Sequence, residues 1–163
     1  MADKYTILVQ LQADLPEPDR INPKKLEQAA IQVLEMENAA ADSMISIVVS
    51  TDEHMQEMNK QYRGIDAPTD VLSFPSEPMP QGIDEDEGYL GDIIVSLPYL
   101  ARRVAQEQRS LHDELALMVV HGTLHLLGYD HDTAETQQAM WAVQAAALKA
   151  LAIDLIVPDY IHE

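Results

Sequence analysis

Residues 115 to 128 read LALMVVHGTLHLLG, and this stretch decides the fold. Apolar side chains occupy nearly every position from Leu115 to Leu127, so a helix formed there has no face suited to water. Such a helix is buried on every side, with the other elements packed around it. Gly128 stands where a left-handed cap would end it. Among the few polar residues in the run are His121 and His125, four apart and therefore on one face, one turn from each other.

Working outward, Ser110 with Asp113 three residues later opens this helix, and Ser96, with Pro98 in the first turn, opens the one before it. Downstream, Thr133 starts a last helix rich in alanine, through Trp141 to about Leu151. Near the N-terminus Tyr5, Ile7, Val9 and Leu11 alternate as on a half-buried strand, which Asp14 to Pro18 ends. Leu26, Ala30, Val33 and Leu34 then follow the helical period behind the start signal Asn22-Pro23. Met44 to Val49 is a short β-branched run, and Ser50 with Glu53 has the spacing of a capping box for a helix beginning near Thr51. Val71 to Phe74 and Leu90 to Val95 form a hairpin-like strand pair, separated by an acidic, Pro- and Gly-containing stretch from Pro75 to Gly88 expected to be a mobile loop. These elements predict a single α+β domain over residues 1–163, a small mixed sheet of about four strands packed with about five helices.

Composition narrows the chemistry. At 163 residues the chain has the size of one domain, able to bury roughly 70% of its unfolded surface. With 47% hydrophobic and 23% charged residues it is neither disordered nor fibrous. The absence of cysteine excludes disulfides and thiolate metal sites, leaving histidine and carboxylate as transition-metal ligands. There is no charged-then-apolar leader and no run near the roughly 18 apolar residues of a membrane span, so a soluble cytoplasmic protein is expected. Ten Lys and Arg against 28 Asp and Glu give a net charge of -18, which repels nucleic acid in bulk. Any RNA contact must then rest on a local cationic patch.

The histidines supply the strongest chemical signal. A chain turn at Gly128 lets His131 approach His121 and His125, which fills three positions of a tetrahedral site and leaves the fourth for water. A lone histidine on an apolar face is ordinarily a hydrogen-bonded core residue. Two imidazoles in an apolar helix, each costing about 1–3 kcal/mol if unpaired, together with a third nearby, favour a shared ion, and zinc suits the donors. The HExxH pattern of zinc proteases has glutamate as general base, but Gly122 stands at that position and cannot take a proton. His54, His112 and His162 lack ligand spacing and are expected at the surface. Asp130 and Asp132 flank His131, either orienting a ligand or moving a proton, or simply solvated.

HGTLHLLGYDHD, from His121 to Asp132, resembles the HGxLHLxGYDH signature of the YbeY-type rRNA maturation endoribonucleases. NKQYRGIDAPTDVLSFP, residues 59 to 75, is similar to that family's NxxYRxxDxPTDVLSFP segment, and Leu90-Gly91-Asp92-Ile93-Ile94 to its LGDI strand. The resemblance implies a metal-dependent, single-strand-specific endoribonuclease acting on ribosomal RNA, especially the 16S 3' end, and in ribosome quality control. It implies one zinc ion on His121, His125 and His131, catalytic roles for His121 and Arg63, and partners among ribosome or assembly-factor proteins, with no DNA and no membrane.

Physically, the Arg63 guanidinium can hold a phosphate through two hydrogen bonds, or else form a surface ion pair at a helix end. Asp70, Ser73 and Asp92, in the matching blocks, are candidate substrate-binding residues that either line the cleft or cap and pair strands. Lys60, Arg63, Arg102, Arg103 and Arg109 make up half of the ten basic residues and would track an RNA backbone if gathered on one face. Two other readings stay open: a ribosome-assembly protein with a structural zinc, and a zinc hydrolase acting on another substrate, with peptides disfavoured by Gly122. No residue is assigned as general base.

Overall fold

The computed structural model describes residues 4–15, 20–76 and 88–154. In order the elements are β1 (Thr6–Leu11), α1 (Pro23–Met36), β2 (Met44–Ser50), α2 (Asp52–Arg63), β3 (Val71–Pro75), β4 (Tyr89–Ser96), α3 (Leu97–Glu107), α4 (Leu111–Leu126) and α5 (Ala134–Ala150). The strands form a four-stranded mixed sheet ordered β1-β2-β4-β3. β1, β2 and β4 are parallel, and β3 is the antiparallel edge. The α+β domain expected from the pattern is the one observed.

α4 sits where its sequence requires. It packs on β3 and β4 and is covered by α1, α3 and α5, so 13 of its 16 residues are buried and no solvent face remains. The other face of the sheet carries a smaller cluster, in which Met55 of α2 meets Leu72 and Ile94. Gly128, at φ 103°, ends α4 in a Schellman motif, with its N–H bonded to the His125 carbonyl and the Tyr129 N–H to that of Leu124. This reversal returns the chain over the last turn of α4. Thr133 and Thr136 then form a capping box that starts α5.

Three local expectations need correction or lie outside what is described. Thr51, rather than Ser50, is the N-cap of α2, because the Ser50 hydroxyl is engaged with His54 Nδ1 at 2.7 Å. His54 is accordingly half-buried and also meets the Gln12 amide, and His112 is half-buried too, lining a cavity of about 190 Å³ with Lys25, Gln28 and Asp113, so each is only partly at the surface. The loop expected between Pro75 and Gly88 falls largely on residues 77–87, outside the described residues, as do Pro18 and His162.

Candidate metal centre

α4 delivers two imidazoles from one face of its last turns. His121 is fully buried and His125 half-buried, and their Nε2 atoms are 3.0 Å apart. The Gly128 turn brings His131 to the same point, so the three rings offer nitrogen atoms all within 4.8 Å of one another. Nitrogens bonded to one tetrahedral zinc lie about 3.3 Å apart, given Zn–N bonds near 2.0–2.1 Å. The spacing therefore fits such an ion after a small ring adjustment.

The surroundings of the rings favour the same use. His125 Nδ1 donates to the Tyr129 carbonyl at 2.9 Å, an acceptor that fixes the proton on Nδ1 and leaves Nε2 as a lone pair. His121 Nδ1 lies 2.6 Å from Gln144 Oε1 on α5. His131 Nε2 is buried without a hydrogen-bond partner, a cost that a bound cation removes. The His125 pKa is lowered chiefly by burial and next by the neighbouring His131, which favours the neutral form that ligates. Trp141 closes the cluster, its ring centroid 5.9 Å from that of His121 and 5.1 Å from that of His131. Tyr129 donates its hydroxyl to Glu37 at 2.5 Å, tying the turn to the end of α1.

Gly122 has a packing reason of its own. A Cβ there would come within 2.8 Å of Ile93 Cγ2, so the position faces β4 and has no room for a catalytic side chain. Asp130 accepts from the His131 backbone N–H and Asp132 from the Thr136 hydroxyl, so both carboxylates support the turn and the start of α5.

The other candidate residues are spread around β3 and β4. Ser73 pairs with Ile93, whose side chain meets α4 at Gly122, so Ser73 is on the α4 face of the sheet. Asp92, one residue along, faces the opposite side, where it accepts a hydrogen bond from the Tyr89 hydroxyl and burial raises its pKa. Asp70 is fully buried, bonded to the Val71 N–H at 2.8 Å and to Arg103 at 3.0 Å. It therefore anchors the start of β3. Arg63, the last residue of α2, lines a cleft of about 270 Å³ with Asn59, Ile65, Pro68, Thr69 and Tyr99, and none of the three histidines lines that cleft.

The five cations differ in what they touch. Arg103 and Arg109 are mostly buried against the fully buried Glu114, with N···O distances of 2.8 and 2.9 Å, while Arg102 pairs with Asp52 and Lys60 with Asp66. Neither this network nor Gln144 was anticipated. The signal for Gln144 is a polar residue on the buried stripe of α5 with Met140, Ala147 and Leu148, and for Glu114 an acid inside an apolar helix.

Comparison with known proteins agrees with this architecture. Residues 13–152 match the family model described as Endoribonuclease YbeY. A protein named Endoribonuclease YbeY from Desulforamulus reducens is 40% identical over 137 residues, covering 82% of this chain and 89% of that protein. One of the same name from Roseiflexus castenholzii is 37% identical over 154 residues, covering 93% and 97%. The solution structure of TM1509 from Thermotoga maritima shares the fold, with a TM-score of 0.56 and 24% identity over 90% of this chain and 92% of that one.

Proposed function

Because the chain belongs to the YbeY endoribonuclease family, we propose that it is a zinc-dependent, single-strand-specific endoribonuclease of ribosomal RNA maturation. Its field of action is the 16S 3' end and ribosome quality control, in the cytoplasm and alongside ribosome or assembly-factor proteins. The convergence of His121, His125 and His131 on one point, with two Nδ1 atoms already engaged elsewhere, carries the metal part of the reading. Neutral nitrogen donors without thiolate or carboxylate suit zinc. Among the described residues no helix is long and apolar enough to cross a membrane, in keeping with an RNA-directed role.

Bound at the three imidazoles, zinc supplies Lewis acidity toward a water molecule or a phosphodiester oxygen. The chain does the rest. The Tyr129 carbonyl and Gln144 hold two rings in position, and Trp141 packs edge-on against His121 and His131. His125 and His131 are only half-buried, which leaves the centre approachable from that side. Arg63 offers a planar, permanently charged fork for a phosphate of the RNA strand, with Tyr99 beside it in the same cleft. With Arg102, Arg103 and Arg109 paired to carboxylates, little charge is left for non-specific binding of polyanions. Ser73, on the α4 face of the sheet, is assigned to the substrate path, and Asp70 and Asp92 are assigned to substrate binding by the motif blocks in which they lie.

The decisive experiment combines metal analysis with cleavage of single-stranded ribosomal RNA by wild type, His121→Ala and Arg63→Ala. Wild type and Arg63→Ala should each carry one zinc and His121→Ala none, with cleavage lost in both variants. Undiminished cleavage in both would place the active site elsewhere. A zinc-loaded wild type that cuts no RNA would instead favour an assembly protein with a structural metal.

A further inference from the structure

We propose that Gln144 is the positioning residue that selects the ligating tautomer of His121; the inference rests on the metal reading of the histidine cluster. Gln144 is fully buried on the apolar stripe of α5, and its Oε1 lies 2.6 Å from His121 Nδ1. Its Nε2 is buried with no hydrogen-bond partner, so the amide is committed to this one contact. A buried amide NH2 without a partner costs about 1–3 kcal/mol, which leucine or methionine at this position would avoid. A cost of that kind, retained inside a well-packed helix interface, points to a function beyond stability.

The function follows from the two Nε2 atoms 3.0 Å apart. The Tyr129 carbonyl can only accept, so His125 carries its proton on Nδ1 and presents an Nε2 lone pair. His121 has a choice. With its proton on Nε2 it donates to His125 and closes the gap against a metal. With its proton on Nδ1, donated to Gln144 Oε1, two lone pairs face each other and invite a cation. Gln144 decides between these states, because an acceptor at Nδ1 stabilises the second. A backbone carbonyl does for one ring what this side chain does for the other, and only the side chain is open to mutation.

The test uses the full chain, stripped of metal, with Gln144→Met and Gln144→Glu variants. Met keeps the volume and removes the acceptor; Glu keeps the acceptor and strengthens it. Zinc affinity, read by competition with a chromophoric chelator, should fall about 10- to 100-fold in Gln144→Met and be kept or raised in Gln144→Glu. Nitrogen-15 spectra of the metal-free wild type should show His121 protonated on Nδ1, and this signature should persist in Gln144→Glu and weaken in Gln144→Met. Unchanged zinc affinity in Gln144→Met, or an Nε2-protonated His121 in the wild type, would overturn the proposal. A wild type that binds no zinc while keeping the Nδ1 tautomer would overturn the metal reading and leave the tautomer assignment standing.

Discussion

At the N-terminal end of α4, Glu114 is fully buried between Arg103 and Arg109, while at its C-terminal end His121 is fully buried beside two further imidazoles. Both ends place polar groups in a helix that otherwise buries hydrocarbon, but they compensate the cost differently. Among the buried side chains of the first cluster Asp70 and Glu114 balance Arg103 and Arg109, and Arg109 also meets the more exposed Glu107, with N···O distances of 2.8–3.0 Å across the ion pairs. In the second, the Nε2 atoms of His121 and His125 lie 3.0 Å apart, with their Nδ1 atoms engaged by Gln144 and the Tyr129 carbonyl. A closed charge balance describes an internal tie between α3, α4 and the start of β3. Three imidazoles converging on one point make a group that could hold a metal ion.

The largest effect should come from breaking the closed cluster. Glu114→Ala leaves two guanidinium groups largely buried without their shared partner, and a loss of about 3–5 kcal/mol is expected in urea-induced unfolding. A loss under about 1 kcal/mol would mean that water reaches the network, and the contrast between the two ends would collapse. Next is the response to metal. Zinc at 100 times its dissociation constant should stabilise the wild type by about 2.7 kcal/mol and leave His125→Ala unmoved. Equal stabilisation of both proteins would place the binding site elsewhere.

Between the two ends, Gly122→Ala probes the packing that seats the metal helix on β4. Its methyl would enter the space of Ile93, so a loss of about 1–3 kcal/mol by thermal unfolding is expected, with zinc stoichiometry preserved in the folded fraction. The smallest effect concerns Asp92, a carboxylate met by a tyrosine hydroxyl where Asp70 has a guanidinium. Burial raises its folded pKa above the ordinary carboxylate value of 3.8, so the native state binds the proton more tightly than the unfolded one. That contribution is complete below the unfolded value and is lost as pH rises through the folded one. Asp92→Asn should therefore raise the unfolding midpoint slightly at neutral pH, with a gain that fades as pH falls toward 3.8; a gain independent of pH would mean the carboxylate is not penalised.

The sequence by itself determined the parts whose physics is local. Apolar residues all round Leu115 to Leu127 required a buried central helix, Gly128 its end, and the i, i+4 spacing of His121 and His125 their common face. Strand and helix starts followed from period and capping chemistry, except where Ser50 found His54 and left the cap to Thr51. Tertiary structure decided every pairing between distant residues. Spacing carries no information about Gln144 meeting His121 across 23 positions, or Asp70 meeting Arg103 across 33, because such contacts depend on how α3, α4 and α5 dock. Docking likewise turned Asp92 away from α4, committed Arg103 and Arg109 to Glu114, and gave Gly122 a reason in Ile93 beyond a missing carboxylate. The histidine cluster was legible because one helix and its cap hold it together, whereas the groups that orient its rings come from an adjoining helix and the chain's return.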